Sequence, residues 1–216
     1  MKLQALKALT EDLVEGGLLI ETRNLVTRQS GRSVGIEVGN TSPIDGVEGY
    51  EEGSARFYLE TLRQNRLSWM LFDGSMVQIS YRLTQGAVDS HRYCYIPAPF
   101  EVDLRGFLGD DLVDAIEGAS ALSPLTTSRR GILRFECDLE AQGIDHAASH
   151  LHLNTAYCRI PMRSPISPRE FVYFLVKFLY SNQFSTRICG GISFSNPETI
   201  TTEEQAEFHI SWRRSA

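Results

Sequence analysis

Three of the five histidines fall inside seven residues, within Asp145-His146-Ala147-Ala148-Ser149-His150-Leu151-His152-Leu153-Asn154. The run from Ser149 to Tyr157 reads as a strand. Its period of two places His150, His152 and Asn154 on one face and Leu151 and Leu153 on the other. The apolar face then docks on a core, while the polar face presents two imidazoles and an amide. Imidazoles at i and i+2 can ligate one divalent metal, or can act as an acid and a base without metal.

The strand-like run 131–138 supplies the anions that such a site lacks. Leu133, Phe135 and Cys137 alternate with Arg134, Glu136 and Asp138, so pairing with the histidine strand as a hairpin would match the polar faces. The expected metal set is His150, His152, Glu136 and Asp138, with a divalent cation as the cofactor. The expected catalytic set is His150, His152, Asn154 and Arg134, with Arg134 holding a phosphate or carboxylate. A solvated strand with one polar face shows the same alternation without any chemistry, so the pattern alone leaves both readings open.

Other candidates are weaker. His91, at the start of a strand, and His209, on the outward side of another, read as polar residues at strand positions. Tyr93 and Tyr95 share the face of His91 and read as packing, or else as a stacking surface. Arg129, Arg130, Arg159, Arg163 and Arg169 bracket the histidine hairpin and would form a local basic rim suited to nucleic acid.

The elements that must hold these residues follow from periodicity. Leu3, Leu6, Leu9, Leu13 and Val14 recur at helical spacing before Gly16-Gly17, which predicts an amphipathic helix over 2–15. Runs 25–29 and 33–38 form a hairpin about Ser30-Gly31, and 39–53 reads as loop. Ser54 caps a helix to about Asn65. After the Asp73-Gly74 turn, Val77, Ile79, Tyr81 and Leu83 alternate along a strand that pairs with 91–96 before Pro97-Ala98-Pro99. A short helix spans 110–117 and stops at Gly118, with 119–130 as a connection. Ser167-Pro168-Arg169-Glu170 carries a capping hydroxyl, an N1 proline and a glutamate, which opens a nearly all-apolar helix through Tyr180. Runs 190–195 and 208–212 complete the strands, the latter with Phe208, Ile210 and Trp212 inward.

The expected class is therefore α+β: a largely antiparallel sheet of about eight strands, an N-terminal amphipathic helix and a buried helix in the C-terminal half. One domain over 1–216 is expected, since no domain-length linker or repeat is present. The 216 residues are 42% hydrophobic and 22% charged, which excludes disorder, collagen and coiled coil. A formal charge of -6 argues against whole-surface attraction to nucleic acid or anionic membrane. The bases are 18 Arg and 3 Lys, and their Arg excess suits phosphate or carboxylate forks. No run approaches the ~18 apolar residues of a membrane span, and the start lacks a signal-peptide pattern, so no membrane partner and a cytoplasmic setting are expected. The four cysteines form no C-x-x-C pair and read as small buried hydrophobes. Phosphate-loop, dinucleotide, zincin and hydrolase-elbow motifs are absent.

Leu71-Phe72-Asp73-Gly74-Ser75-Met76, His91-Arg92-Tyr93-Cys94-Tyr95-Ile96-Pro97, Pro99-Phe100-Glu101-Val102-Asp103, Leu133-Arg134-Phe135, Ser149-His150-Leu151-His152-Leu153-Asn154 and Cys158-Arg159-Ile160-Pro161 occur in this order. Over roughly 54–182 the chain resembles a bacterial family catalogued only as domain of unknown function 2290. The resemblance implies a bacterial cytoplasmic protein of mobile-element or phage-defence neighbourhoods and brings no catalytic residues with it. Locally, the Arg-Phe strand with an acidic residue followed by His-x-His is similar to a small toxin family of toxin–antitoxin pairs, by analogy only. Two functions follow as expectations. One is a binding or accessory module of a phage-defence or toxin–antitoxin system with an operon-encoded protein partner, and the other is a hydrolase acting on nucleic acid or another phosphate compound. The oligomeric state is not readable from the residues.

Overall fold

The computed structural model describes residues 2–23, 25–38, 55–85, 87–107, 110–122, 131–143, 146–155, 158–180 and 197–211. The loop expected at 39–53, the Ser54 cap, the strand at 190–195 and the connection at 123–130 lie outside them.

Helix α1 (Lys2–Glu15) forms as its leucine spacing requires, and Leu6, Leu9 and Leu13 are fully buried. It ends where Gly17 adopts a φ of 72°, and the Leu18 amide returns to the Leu13 carbonyl at 3.0 Å. A residue with a Cβ is strained in that left-handed conformation, so the glycine is what permits the stop.

Among the described residues nine strands form one sheet: β1 (Leu19–Thr22), β2 (Leu25–Ser30), β3 (Ser33–Val38), β4 (Trp69–Leu71), β5 (Met76–Thr84), β6 (Ala87–Ile96), β7 (Leu133–Asp138), β8 (Ser149–Leu153) and β9 (Arg159–Pro161). Their order is β1-β4-β5-β6-β7-β8-β9, with β3 also on β5 and β2 on β3, and every pairing is antiparallel. This is the α+β class expected. The long central strands β5 and β6 join the two halves of the sheet.

Each face of the sheet carries its own core. On the first, Val77, Ile79, Tyr93, Tyr95, Phe135 and Leu151 pack against α1 and against α4 (Pro168–Phe174) with its continuation, a π-helical turn over Leu175–Leu179. The other face carries Met70, Met76, Cys94 and Ile96 under α2 (Ala55–Arg63) and α3 (Asp110–Leu122). Burial on both faces explains why β5 reads only half right as an alternating strand: Met76 and Gln78, on its polar-looking side, are buried too.

Helix α4 opens with the expected capping box, in which the Ser167 hydroxyl accepts from the Glu170 amide and the Glu170 carboxylate accepts from the Ser167 amide. Phe171, Val172, Leu175 and Val176 are buried, whereas Phe178 is 57% exposed, so the helix lies on the sheet with one side outward.

Several expected boundaries are corrected. Helix α3 runs through Gly118 to Leu122, because that glycine keeps a helical conformation where a Cβ would meet nothing within 4 Å. Strands β1 and β9 lack a periodicity long enough to read. Strand β8 stops at Leu153, not Tyr157. The described part of that stretch, 208–211, is not a strand: Thr201 and Glu204 form a second capping box that starts α5 (Thr202–Ala206), after which, among the described residues, only Ile210 bridges, in parallel, to Met162. Phe208, expected inward, is 77% exposed, and Trp212 lies outside the described residues.

Candidate metal centre

Strands β7 and β8 pair in the register that the polar faces require, with Glu136 opposite His150 and Arg134 opposite His152. The sheet extends these rows on both sides. Arg92 of β6 stands opposite Glu136, and Arg159 of β9 stands opposite His152. The row Arg92–Glu136–His150 thus lies beside the row Arg134–His152–Arg159 on the face that carries the second core.

This polar face is not a solvated surface. His150 is 1% exposed, His152 3% and Arg134 7%. Burying imidazoles and guanidinium groups costs free energy unless they are paired, and here the partner is Glu136. Its Oε1 is ion-paired with Arg92, 2.8 Å from Nε, and lies 3.8 Å from the Arg134 Nε. Its Oε2 faces the imidazoles, 3.4 Å from His150 Nε2 and 3.2 Å from His152 Nε2. The two Nε2 atoms are 2.9 Å apart.

Three ligand-type atoms therefore converge on one point. For metal–ligand distances of about 2.1 Å, ligand atoms stand ~3.4 Å apart in a tetrahedral site and ~3.0 Å apart on one face of an octahedron. The observed edges of 2.9, 3.2 and 3.4 Å span that interval. Two histidines and one carboxylate of this kind suit zinc with one open position, or iron or manganese with more. His150 is already set for ligation: its Nδ1–H donates to the Ala147 carbonyl at 2.7 Å, which leaves the Nε2 lone pair facing the triad. Arg92, on Oε1, turns the other carboxylate oxygen toward the imidazoles.

Electrostatics agree with the geometry. Burial works to raise the Glu136 pKa, but the imidazoles of His150 and His152 against its Oε2 and the charges of Arg92 and Arg134 outweigh it and hold the group well below the usual carboxylate range. The carboxylate is thus anionic at any physiological pH. His146 packs edge-on against His150 with ring centroids 4.9 Å apart, and its burial and the neighbouring His150 lower its pKa.

Two expected site residues stand elsewhere. Asp138 lies one strand repeat beyond Glu136, about 7 Å along β7, where its carboxylate accepts from the Glu140 amide at 3.0 Å and closes the turn. Asn154 adopts a left-handed φ of 61° as β8 ends, and its amide donates to the Ile132 carbonyl at 2.9 Å. Its side chain fills the space over Gly131, where a Cβ would come 1.9 Å from Asn154 Oδ1. The turn residue has left the histidine face.

Arg92 is a site residue missed in the sequence. Its outward parity on β6 is legible, but its register against β7 crosses an intervening helix and cannot be counted from spacing. His91, read as a polar strand-end residue, is 3% exposed within the first core. Its ring stacks on Tyr93 with centroids 4.5 Å apart, its Nδ1 donates to the Phe135 carbonyl at 3.2 Å, and its Nε2 accepts from the Ile166 amide at 3.3 Å. Tyr93 and Tyr95 are fully buried packing residues.

Of the expected basic rim, Arg159 and Arg169 are exposed, Arg163 is ion-paired to Glu198 at 2.7 Å, and Arg129 and Arg130 lie outside the described residues. His209 binds its own segment, Nδ1 to the Glu207 carbonyl at 3.1 Å. Cys94 and Cys137 are free and buried, and Cys158 is free and half-buried. Among the described residues, no helix is long and apolar enough to cross a membrane.

Comparison with known proteins returned a single kind of likeness. Residues 19–212 match a protein-family model described as "Uncharacterized conserved protein (DUF2290)". Neither a curated protein nor a solved structure is similar to the chain at a significant level.

Proposed function

Because the chain belongs to the DUF2290 family of uncharacterised conserved proteins, whose description carries no activity, we infer its function from the site: a divalent-metal-dependent hydrolase of phosphate compounds. The observation that carries this reading is the convergence of Glu136 Oε2, His150 Nε2 and His152 Nε2 within hydrogen-bonding distance of one another, with Arg92 and Arg134 beside Glu136.

The three residues would hold the metal and leave positions open for water. A divalent ion of this type would lower the pKa of a bound water to about 7 and so supply hydroxide at neutral pH. Such a hydroxide would serve as the nucleophile toward a phosphate ester, whose leaving oxygen would depart with a proton from solvent. Arg134, beside His152, supports the negative charge that develops on the non-bridging oxygens. Nucleic acid is one such phosphate compound, and a cytoplasmic setting suits it. Asn154 and Asp138 have no part in this reading.

The test is elemental analysis of protein purified without a histidine tag, run beside the His150→Ala/His152→Ala variant. Close to one divalent ion per chain, lost in the variant together with phosphodiester hydrolysis, is the expected result. Metal-free, inactive wild-type protein that folds normally would overturn it.

The accessory-module reading, as part of a phage-defence or toxin–antitoxin system, draws its support from the acidic balance of -6, which suits a basic protein partner. It expects a tight complex with an operon neighbour that survives replacement of both histidines.

A further inference from the structure

The two carboxylate oxygens of Glu136 stand in different surroundings, and the difference bears on which metal the site takes. Oε2 faces the imidazoles, 3.4 Å from His150 Nε2 and 3.2 Å from His152 Nε2. Oε1 faces guanidinium groups, 2.8 Å from Arg92 Nε and 3.8 Å from Arg134 Nε. Arg92 stands opposite Glu136 across β6 and β7, and Arg134 lies two residues before it on β7. Both strands run inside the sheet, and the arginine side chains are themselves held in: Arg134 is 7% exposed and the Arg92 side chain 25%. The positive charge on Oε1 is thus built into the ladder.

A carboxylate can give a metal one oxygen or both. Giving both draws the ion from Oε2 toward Oε1. Here that path leads toward two like charges and against an ion pair that is largely out of water, so it is opposed. Glu136 is therefore held to one oxygen, and the chain offers two nitrogens and one oxygen. That set suits an ion satisfied with about four ligands, as zinc is. It falls short for manganese or calcium, which take about six or more, mostly oxygen.

We propose that Arg92, with Arg134 behind it, selects the metal: by holding Glu136 to a single ligating oxygen it favours zinc over larger, oxygen-seeking ions. The proposal rests on the metal reading and decides among the ions which that reading admits. Arg92 is a positioning residue, acting through Glu136 and touching neither ion nor substrate.

The test loads metal-stripped, untagged protein with cobalt(II), whose visible absorption is intense in a tetrahedral site and weak in an octahedral one. Zinc and manganese affinities are measured beside it by chelator competition. Wild type is compared with Arg92→Gln, Arg92→Lys and a control, Arg82→Gln. Arg82 lies on β5 one strand repeat from Ser80, the residue opposite Arg92, and its own partner is Asp89 at 3.8 Å. Wild type is expected to give the intense spectrum. In Arg92→Gln the spectrum should weaken and the ratio of zinc to manganese affinity should fall about tenfold, while Arg82→Gln matches wild type. Arg92→Lys, a point charge without the planar fork, should fall between. An octahedral spectrum in wild type, an unchanged ratio in Arg92→Gln or an equal fall in Arg82→Gln overturns the selection by Arg92 and leaves the metal centre standing. Should Arg92→Gln not fold, Arg92→Lys decides, and a ratio equal to that of wild type overturns the proposal. Protein that takes up none of the three ions overturns both readings.

Discussion

At the scale of single residues, Glu136 and His91 do opposite work on the two faces of one strand pair. Glu136 is the only carboxylate in the triad and the shared counter-ion of Arg92 and Arg134. Glu136→Gln keeps the shape and removes the charge. Leaving buried charges without their partner costs about 3 kcal/mol or more, so its urea midpoint should fall well below that of wild type, and bound metal should be lost. His91 is held neutral between a carbonyl and an amide, and burial pulls its pKa down to about 3 despite the hydrogen bond to Phe135 and the charge of Glu136. The unfolded chain takes up this proton near pH 6.5 and the folded one only near 3. The stabilising contribution is therefore complete above pH 6.5 and is lost as pH falls from there toward 3. Unfolding free energies of wild type minus His91→Gln, measured against pH, should decline by about 1.4 kcal/mol per unit between pH 6 and 4. A flat difference would show that His91 is not held neutral in the fold.

At the scale of elements, the close of β8 decides which side chains reach the site. Asn154 turns left-handed and lies over Gly131, so the two positions exclude each other's bulk. Gly131→Ala should destabilise by about 1–3 kcal/mol in thermal or urea unfolding. Adding Asn154→Gly, which accepts the positive φ and vacates the space, should restore most of it. Failure of that rescue would mean that the cost arises elsewhere. Helix α4 offers a cleaner local test. Ser167→Ala removes one half of its capping box and should cost about 1 kcal/mol, read from the urea midpoint. The box was legible because capping needs only two side chains three positions apart, Ser167 and Glu170. The π-helical turn that continues the helix was not, because the residues of Leu175–Leu179 carry no signal that separates i→i+5 from i→i+4 bonding.

At the scale of the whole molecule, the sheet is the frame on which the metal and substrate readings converge. Arg92, Glu136, His150 and Pro161 come from four strands that meet in one ladder row, with His152 in the next. A ligand that binds this assembled row and not the unfolded chain stabilises the fold by mass action. Zinc at about 100 times its dissociation constant should add ~2.7 kcal/mol and raise the melting temperature, and the His150→Ala/His152→Ala variant should show no such rise. An equal rise in both would place the bound metal elsewhere.

The residues themselves determined what depends on neighbours in the chain. The leucine spacing made α1, the Ser167 box made α4, and the period of two put His150 with His152 and Glu136 with Arg134. Even the matching of those two polar faces followed, since a one-residue slip would have turned Phe135 and Leu151 out of the core. Tertiary structure alone decided the rest. It buried the polar face that alternation would have left in water, because the second face of the sheet is covered as well. Arg92 joined the site through a register that crosses an intervening helix. Asp138 stands one strand repeat too far along β7, Asn154 left the site because the end of β8 is set by a hydrogen bond to distant backbone, and His91 moved from a strand end to the middle of a core. Periodicity reports which side of an element a residue faces, and what lies against that side is a property of the other elements.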